Sequence, residues 1–175
     1  MPMFREDADY DLFLLLLKRA SKRFAVHVHA FALMPNHYHL IVTPDDATAL
    51  PKTMQLANGR YVRYFNRKYN RIGTALNGRY KSLPISDEAH FLTCLRYVEL
   101  NPVRAGLVAA PEDYRWTSYR IHALAEPTKW IADHRVYLAL GPTPAWRQAA
   151  YRTLCQISLS KSEETLQKFH VDSAL

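Results

Sequence analysis

Little in this 175-residue chain invites a disulfide or a membrane. Its two cysteines, Cys94 and Cys155, stand far apart and outside any Cys-x-x-Cys pair. That argues against a disulfide framework or a cysteine zinc site and fits a reducing cytoplasm. The longest apolar run, Leu12 to Leu17, is far too short to span a bilayer, so no membrane partner is expected. No basic, apolar and cleavable leader opens the chain, so export is not expected either. GxxxxGK[ST], GxSxG and HExxH are all missing, and the chemistries they carry are not indicated. The most telling absence is of acid. From Ala47 to Ser86 there is no Asp or Glu, while Lys52, Arg60, Arg63, Arg67, Lys68, Arg71, Arg79 and Lys81 all fall there. A one-sign stretch of this length builds the local positive field expected of a phosphate-backbone binder.

What is present reads as one globular unit. Apolar residues make up 49%, charged residues 22%, and the net charge is +7. Leu12, Leu15 and Leu16 recur at helical spacing within a helix expected from about Asp9 to Phe24, with Lys and Arg at its C-terminal end. Two β-branched and aromatic runs, Phe24–Leu33 and His37–Thr43, flank Met34-Pro35-Asn36, which predicts a β-hairpin. A helix is expected from about Ala49 to Tyr69, a loop from Asn70 to Gly78, and a short extended stretch from Arg79 to Ile85. Ser86 is a good N-cap for a helix from about Asp87 to Leu100, which Pro102 limits. Phe91, Leu95 and Val98 form its apolar stripe. Shorter helices and loops follow Gly106, with Trp116, Trp130 and Trp146 as expected packing anchors. The polar last fifteen residues are expected to fray.

Three constellations could carry chemistry. His37 and His39 share one strand face, about 7 Å apart at Cα, and two imidazoles so placed can grip one divalent cation. His27 and His29 repeat the pattern one strand earlier, and the pattern alone does not rank the pairs. Tyr97 and Asn101, at i and i+4, share a helix face about 6 Å apart. Tyr97 is either a packing residue at the stripe's edge or a nucleophile. Only about one phenol in a thousand is ionised at pH 7, so a tyrosine nucleophile needs activation or a metal-polarised electrophile. Asn101 is either a helix C-cap before Pro102 or a carbonyl donor to that metal. The third constellation is the basic aromatic helix carrying Arg60, Arg63, Tyr64, Arg67 and Lys68, continued by Arg71, Arg79 and Lys81. Its aromatics could stack on bases while its cations meet phosphates. The plain alternative is an amphipathic helix with a charged outer face.

Four segments together resemble the REP-associated tyrosine transposases, single-tyrosine enzymes of the HUH nuclease superfamily. They are Met34-Pro-Asn-His-Tyr-His-Leu-Ile41, Asn77-Gly-Arg-Tyr-Lys-Ser82, Arg96-Tyr-Val-Glu-Leu-Asn-Pro-Val-Arg-Ala-Gly106 and Tyr114-Arg-Trp-Thr-Ser-Tyr119. The resemblance runs from about Phe4 to about Tyr151. It implies an α+β fold: a ferredoxin-like antiparallel sheet with helices packed on it, plus C-terminal helices. Residues 1–106 would be the catalytic domain and 107–175 a helical extension packed on it. His37 and His39 would be the HUH metal ligands, Asn101 a third ligand, Tyr97 the nucleophile and the cofactor Mg²⁺ or Mn²⁺. Tyr97 would attack the scissile phosphorus of single-stranded or hairpin DNA, leaving a 5′-phosphotyrosine and a free 3′-OH, with no ATP needed. The chain would act in the cytoplasm as a monomer or homodimer, on hairpin-forming repeats.

Two features depart from that pattern. Relatives open with a strand that is central in the sheet and lies beside the HUH strand. This chain starts almost at the first helix, so that strand is expected to be missing and two sheet edges to stand open. Relatives also carry an aromatic in the stretch matching Thr74-Ala75-Leu76. Two other readings therefore stand beside the transposase one: a hairpin DNA- or RNA-binding module of the same fold with impaired catalysis, and a metal-dependent hydrolase that uses water in place of Tyr97.

Overall fold

The computed structural model describes residues 2–73 and 80–157. The order of elements is α1 (Asp7–Arg23), β1 (Val26–Met34), β2 (His37–Pro44), α2 (Ala49–Lys68), α3 (Glu88–Glu99), α4 (Asn101–Arg104), a 3-10 turn (Pro111–Asp113), α5 (Tyr119–Leu124), α6 (Arg135–Leu138) and α7 (Pro144–Gln156). The fold is α+β, as expected, with a two-stranded antiparallel sheet and helices that continue into the C-terminal part. The loop motif around Thr74–Leu76 and the last fifteen residues lie outside the described residues.

The hairpin forms as its sequence dictates. Pro35 and Asn36 make the two-residue turn, and Met34 pairs with His37. The N-terminal segment straps this turn, since the backbone N–H groups of Met3 and Phe4 both donate to the Pro35 carbonyl at 2.7 and 3.1 Å. β1 is buried along its length except at His27, because helices cover both of its faces. Phe31 and Leu33 pack with Phe13 and Leu17 of α1 and with Tyr61 and Phe65 of α2. On the other face, Ala30, Ala32 and Ile41 meet Phe91, Leu95 and Val98 of α3. The small alanines let α3 approach closely. Each fully buried large side chain here contributes about 1.5–3 kcal/mol.

The two sheet edges differ. Residues after Gly106 fold back along β1: the Leu33 N–H donates to Trp116 O at 2.8 Å, Ser118 N–H to Phe31 O at 3.0 Å, and Ala132 N–H to Val28 O at 2.8 Å. No described residue pairs with the outer edge of β2.

Three local expectations are corrected. The N-cap of α3 is Asp87, whose carboxylate accepts from the His90 N–H at 2.8 Å, and Ser86 instead donates its hydroxyl to Asp87. A carboxylate at the dipole's positive end caps better than a hydroxyl. Trp146 is 67% exposed and anchors nothing, because it sits on the outer face of α7. Asn101 is not a C-cap. α3 ends at Leu100, and Asn101 opens a new turn, with Pro102 among its first residues where a missing N–H costs nothing.

Two buried carboxylates tie the layers together. Asp9, fully buried, accepts from the backbone N–H of Arg5 (2.9 Å), from Tyr69 OH (2.7 Å), from Tyr64 OH (3.1 Å) and from Lys68 Nζ (2.7 Å). Glu99, also fully buried, accepts from Ser118 Oγ, from His122 Nδ1 at 2.7 Å and from Tyr151 OH at 2.6 Å. Asp9 joins α1 to α2, and Glu99 joins α3 to α5 and α7.

Two predictions follow from these carboxylates. Burial opposes the ionisation of Asp9, but hydrogen bonds from Lys68, Tyr69, Arg5 and Tyr64 outweigh it and hold the carboxyl below its usual range. Its stabilisation is therefore present above about pH 4 and is lost as pH falls through the lower folded value. In urea titrations, Asp9→Asn should lower stability at neutral pH by about 3 kcal/mol and flatten the acid limb. Burial likewise opposes protonation of His122, but the Glu99 carboxylate outweighs it and raises the imidazole above its usual range. That contribution is complete below about pH 6.5 and fades as pH rises through the higher folded value. The stability margin of the wild type over Glu99→Gln should therefore shrink between neutral and alkaline pH; a margin that grows with pH would contradict the ion pair.

Candidate active site

His37 and His39 lie on the α3-facing side of β2, as strand alternation requires. Their Nε2 atoms are 2.9 Å apart, and their rings are nearly perpendicular. His37 sits at the exposed rim of the turn, and His39 is buried. The Nδ1 of His37 meets the Oδ1 of Asn36 at 2.7 Å. That oxygen can only accept, so Nδ1 carries the hydrogen and Nε2 turns a lone pair toward His39. Partial desolvation holds the His37 pKa below its usual value, which favours the neutral, metal-binding form.

α3 and α4 bring the remaining groups. The side-chain amide of Asn101 lies 3.2 Å from His39 Nε2. It also lies close enough to the Tyr97 hydroxyl to favour its ionised form. The Tyr97 ring stands edge-on to the His39 ring, with centroids 5.9 Å apart. Tyr97 is 5% exposed and packs in the α3 core cluster, so it is a core residue and a neighbour of the histidines at once. Burial raises its pKa, against the Asn101 hydrogen bond and the charge of Arg104. The Arg104 guanidinium lies over the Tyr97 ring at 4.6 Å from its centroid. A groove of about 410 Å³ opens beside His37, lined by Met34, Pro35, Asn36, Ala105 and Leu107.

The spacing of these donors would suit one divalent cation. Metal–ligand bonds of about 2.0–2.1 Å at right angles place adjacent donors about 3 Å apart. The spacings here are 2.9 and 3.2 Å. A half-turn of the Asn101 carboxamide presents its oxygen in place of its nitrogen. Among the described residues no group of three or more His, Cys, Asp or Glu could hold a metal. A third donor from the neighbouring groups would be this amide, and all three donors would then be neutral. They would leave the ion's full charge for a phosphate.

The other histidine pair does not converge. A β-bulge between Val28 and Ala30 breaks the alternation at His29. Both ring nitrogens of His29 are engaged, with Ala132 O at 2.7 Å and Thr43 Oγ1 at 2.9 Å. His27 turns instead to Asp45 at 3.0 Å.

The basic residues divide. Arg60, Arg63 and Arg67 are exposed on α2. Lys68 is drawn inward, its Nζ held by Glu6, Asp9 and Tyr64 at 2.6, 2.7 and 2.6 Å, and Tyr64 also donates to Asp9. Arg71 lies 6.0 Å over Phe65, Lys81 is exposed, and Arg79 lies outside the described residues. Because α2 packs on the face of Phe31 and Leu33, its arginines and the His37–His39–Tyr97 group occupy opposite sides of the hairpin. Sequence reading missed Asn36 and Arg104. Arg104 stands at i+7 from Tyr97, a helical-face spacing that could have flagged it.

Comparison with known proteins bears on this arrangement. Residues 2–101 match the family model described as "Transposase IS200 like". No curated protein and no solved structure matches. The matched segment ends at Asn101 and takes in both histidines and Tyr97. It covers more than half of the chain, which therefore belongs to the IS200-like transposase family, a family of DNA-processing enzymes.

Proposed function

We propose that this chain cleaves and rejoins single-stranded DNA by transesterification through Tyr97, on hairpin-forming repeat DNA. One observation carries the reading: two imidazole nitrogens 2.9 Å apart, an amide 3.2 Å from one of them, and the Tyr97 ring edge-on to that same imidazole at 5.9 Å between centroids. A hairpin strand and a helix supply these groups from distant parts of the chain, and packing alone does not require all four to meet.

Mg²⁺ or Mn²⁺ held by His37, His39 and Asn101 would polarise the scissile phosphate. The residues do the rest. Asn36 holds the His37 tautomer. Asn101, four residues from Tyr97, faces His39. Tyr97 Oη attacks phosphorus, the P–O3′ bond breaks, and a P–Oη bond forms. The phenol gives up its proton and the departing 3′ oxygen takes one, by way of solvent. One phosphodiester is exchanged for another, so rejoining is the same step reversed and needs no ATP. The apolar groove beside His37 offers a place for a nucleotide flanking the cut. Arg60, Arg63 and Arg67 would hold the strand's backbone on the far side of the hairpin.

The test is covalent capture on labelled hairpin DNA with single-stranded flanks, with Mn²⁺ or with EDTA, resolved on a denaturing gel. A metal-dependent protein–DNA band is expected, and Tyr97→Phe should abolish it while binding persists. An adduct that survives in Tyr97→Phe would sink the assignment. Strand cleavage by Tyr97→Phe with no adduct would favour a water-using hydrolase. Bound DNA with no cleavage would favour the binding-module reading.

The basic helix has a separate signature. Replacing Arg60, Arg63 and Arg67 together by Ala should weaken DNA binding and reduce the slope of log K against log salt by about 2, at about 0.7 per lost phosphate contact on single strands. Adduct formation at saturating DNA should change less than about threefold, because the three arginines lie away from the reacting groups. An unchanged salt slope would remove α2 from the DNA path.

A further inference from the structure

We propose that Arg104 is a catalytic residue of the Tyr97 reaction, its guanidinium holding a non-bridging oxygen of the phosphate as that phosphate passes to and from Tyr97. The inference rests on the Tyr97 reading above and adds to it a group that contacts the reacting phosphate.

The backbone puts Arg104 where it is. α3 stops at Leu100 and α4 begins at once with Asn101. The Arg104 N–H donates to Leu100 O at 3.0 Å, and the Ala105 N–H to Asn101 O at 2.9 Å. This one turn carries the amide at its start and the guanidinium at its end. Asn101 faces His39, and Arg104 returns over the Tyr97 ring. The Tyr97 ring therefore has His39 at its edge and the Arg104 guanidinium over its face.

The chemistry needs a cation in that position. As Tyr97 attacks, negative charge grows on the non-bridging oxygens. A metal ion held by the two histidines and Asn101 reaches the phosphate from one side only. A guanidinium on another side, planar and permanently charged, suits phosphate oxygens and costs no reorganisation if held in place beforehand. The groove beside His37 would bring a strand near both, since its walls are the hairpin turn with His37 and Ala105 and Leu107 just past Arg104. A strand lying there passes between His37 and the end of α4.

A packing role is the competing account, because an arginine over a tyrosine ring is a common cation–π contact. The two accounts separate on charge. Arg104→Ala, Arg104→Lys and Arg104→Met are compared with wild type in single-turnover adduct formation. One substrate carries the natural scissile phosphate, and the other an uncharged methylphosphonate at that position. Folding of each variant is checked by thermal melting and by DNA binding in a Tyr97→Phe background.

On the phosphate substrate, Arg104→Ala and Arg104→Met should be slower by about 10²–10³-fold, with Arg104→Lys recovering at least about tenfold. On the methylphosphonate the gap between wild type and these variants should close to within about tenfold, because the phosphate's own charge is gone and only one non-bridging oxygen is left to be held. If Arg104→Ala is too unstable to test, Arg104→Lys and Arg104→Met decide the matter. Equal losses on both substrates, or a variant as fast as wild type, overturn the proposal and leave Arg104 a packing residue. A wild-type chain that binds DNA and forms no adduct overturns the Tyr97 reading, and this inference with it.

Discussion

A carboxylate with no access to water must be met by donors on every side, and Glu99 is such a group. Its partners are Ser118, His122 and Tyr151, which lie 19 to 52 residues further along the chain. Charge buried at this depth is costly unless fully hydrogen-bonded, so the C-terminal segments have little freedom to pack elsewhere. Glu99 stands two residues after Tyr97 and two before Asn101. The network that satisfies it therefore also anchors the end of α3, which carries Tyr97, just before the start of α4, which carries Asn101. Ser118 extends the constraint to the sheet, because its hydroxyl accepts from the Phe31 N–H at 3.0 Å and its own N–H donates to Phe31 O. Strand and helix are thus fixed to each other through one serine.

The sheet's narrowness has its own consequences. With two strands, β1 can be covered on both faces only if α1 and α2 take one side and α3 the other. The fold thereby separates the basic row of α2 from His37, His39 and Tyr97. It also leaves β2, the strand bearing His37 and His39, unpaired along its outer edge among the described residues. The turn beside His37 is stiffened in other ways, by Met3 and Phe4 on the Pro35 carbonyl and by the Tyr61 hydroxyl on Met3 O at 2.6 Å. The aromatic stack of Phe4, Tyr10 and Trp116 continues that support away from the site.

Much of this was legible from residues alone. Alternation in His37–Thr43 and the Pro35-Asn36 turn fixed the hairpin, so the shared face of His37 and His39 followed directly. The i, i+4 relation did the same for Tyr97 and Asn101. Other features depended on distant partners. His27 and His29 show the same spacing as His37 and His39, and only the bulge at His29 tells them apart. Lys68 and Tyr64 belong to the longest acid-free stretch of the chain, yet Asp9, more than fifty residues earlier, claims both. Trp146 has the composition of an anchor and the position of a surface residue.

Local rules of chain geometry therefore settled which side chains share a strand or helix face, because those rules depend only on near neighbours and on the period of the backbone. They settled the hairpin, the helices and the shared faces of His37 with His39 and of Tyr97 with Asn101. Packing decided what those faces meet. The convergence of the pairs, the choice between histidine pairs, the fate of each cation and the return of Arg104 over Tyr97 all rest on contacts between residues far apart in the chain or across a helix break. Burial makes such contacts strong, since a polar group removed from water must find its partner wherever the fold supplies one.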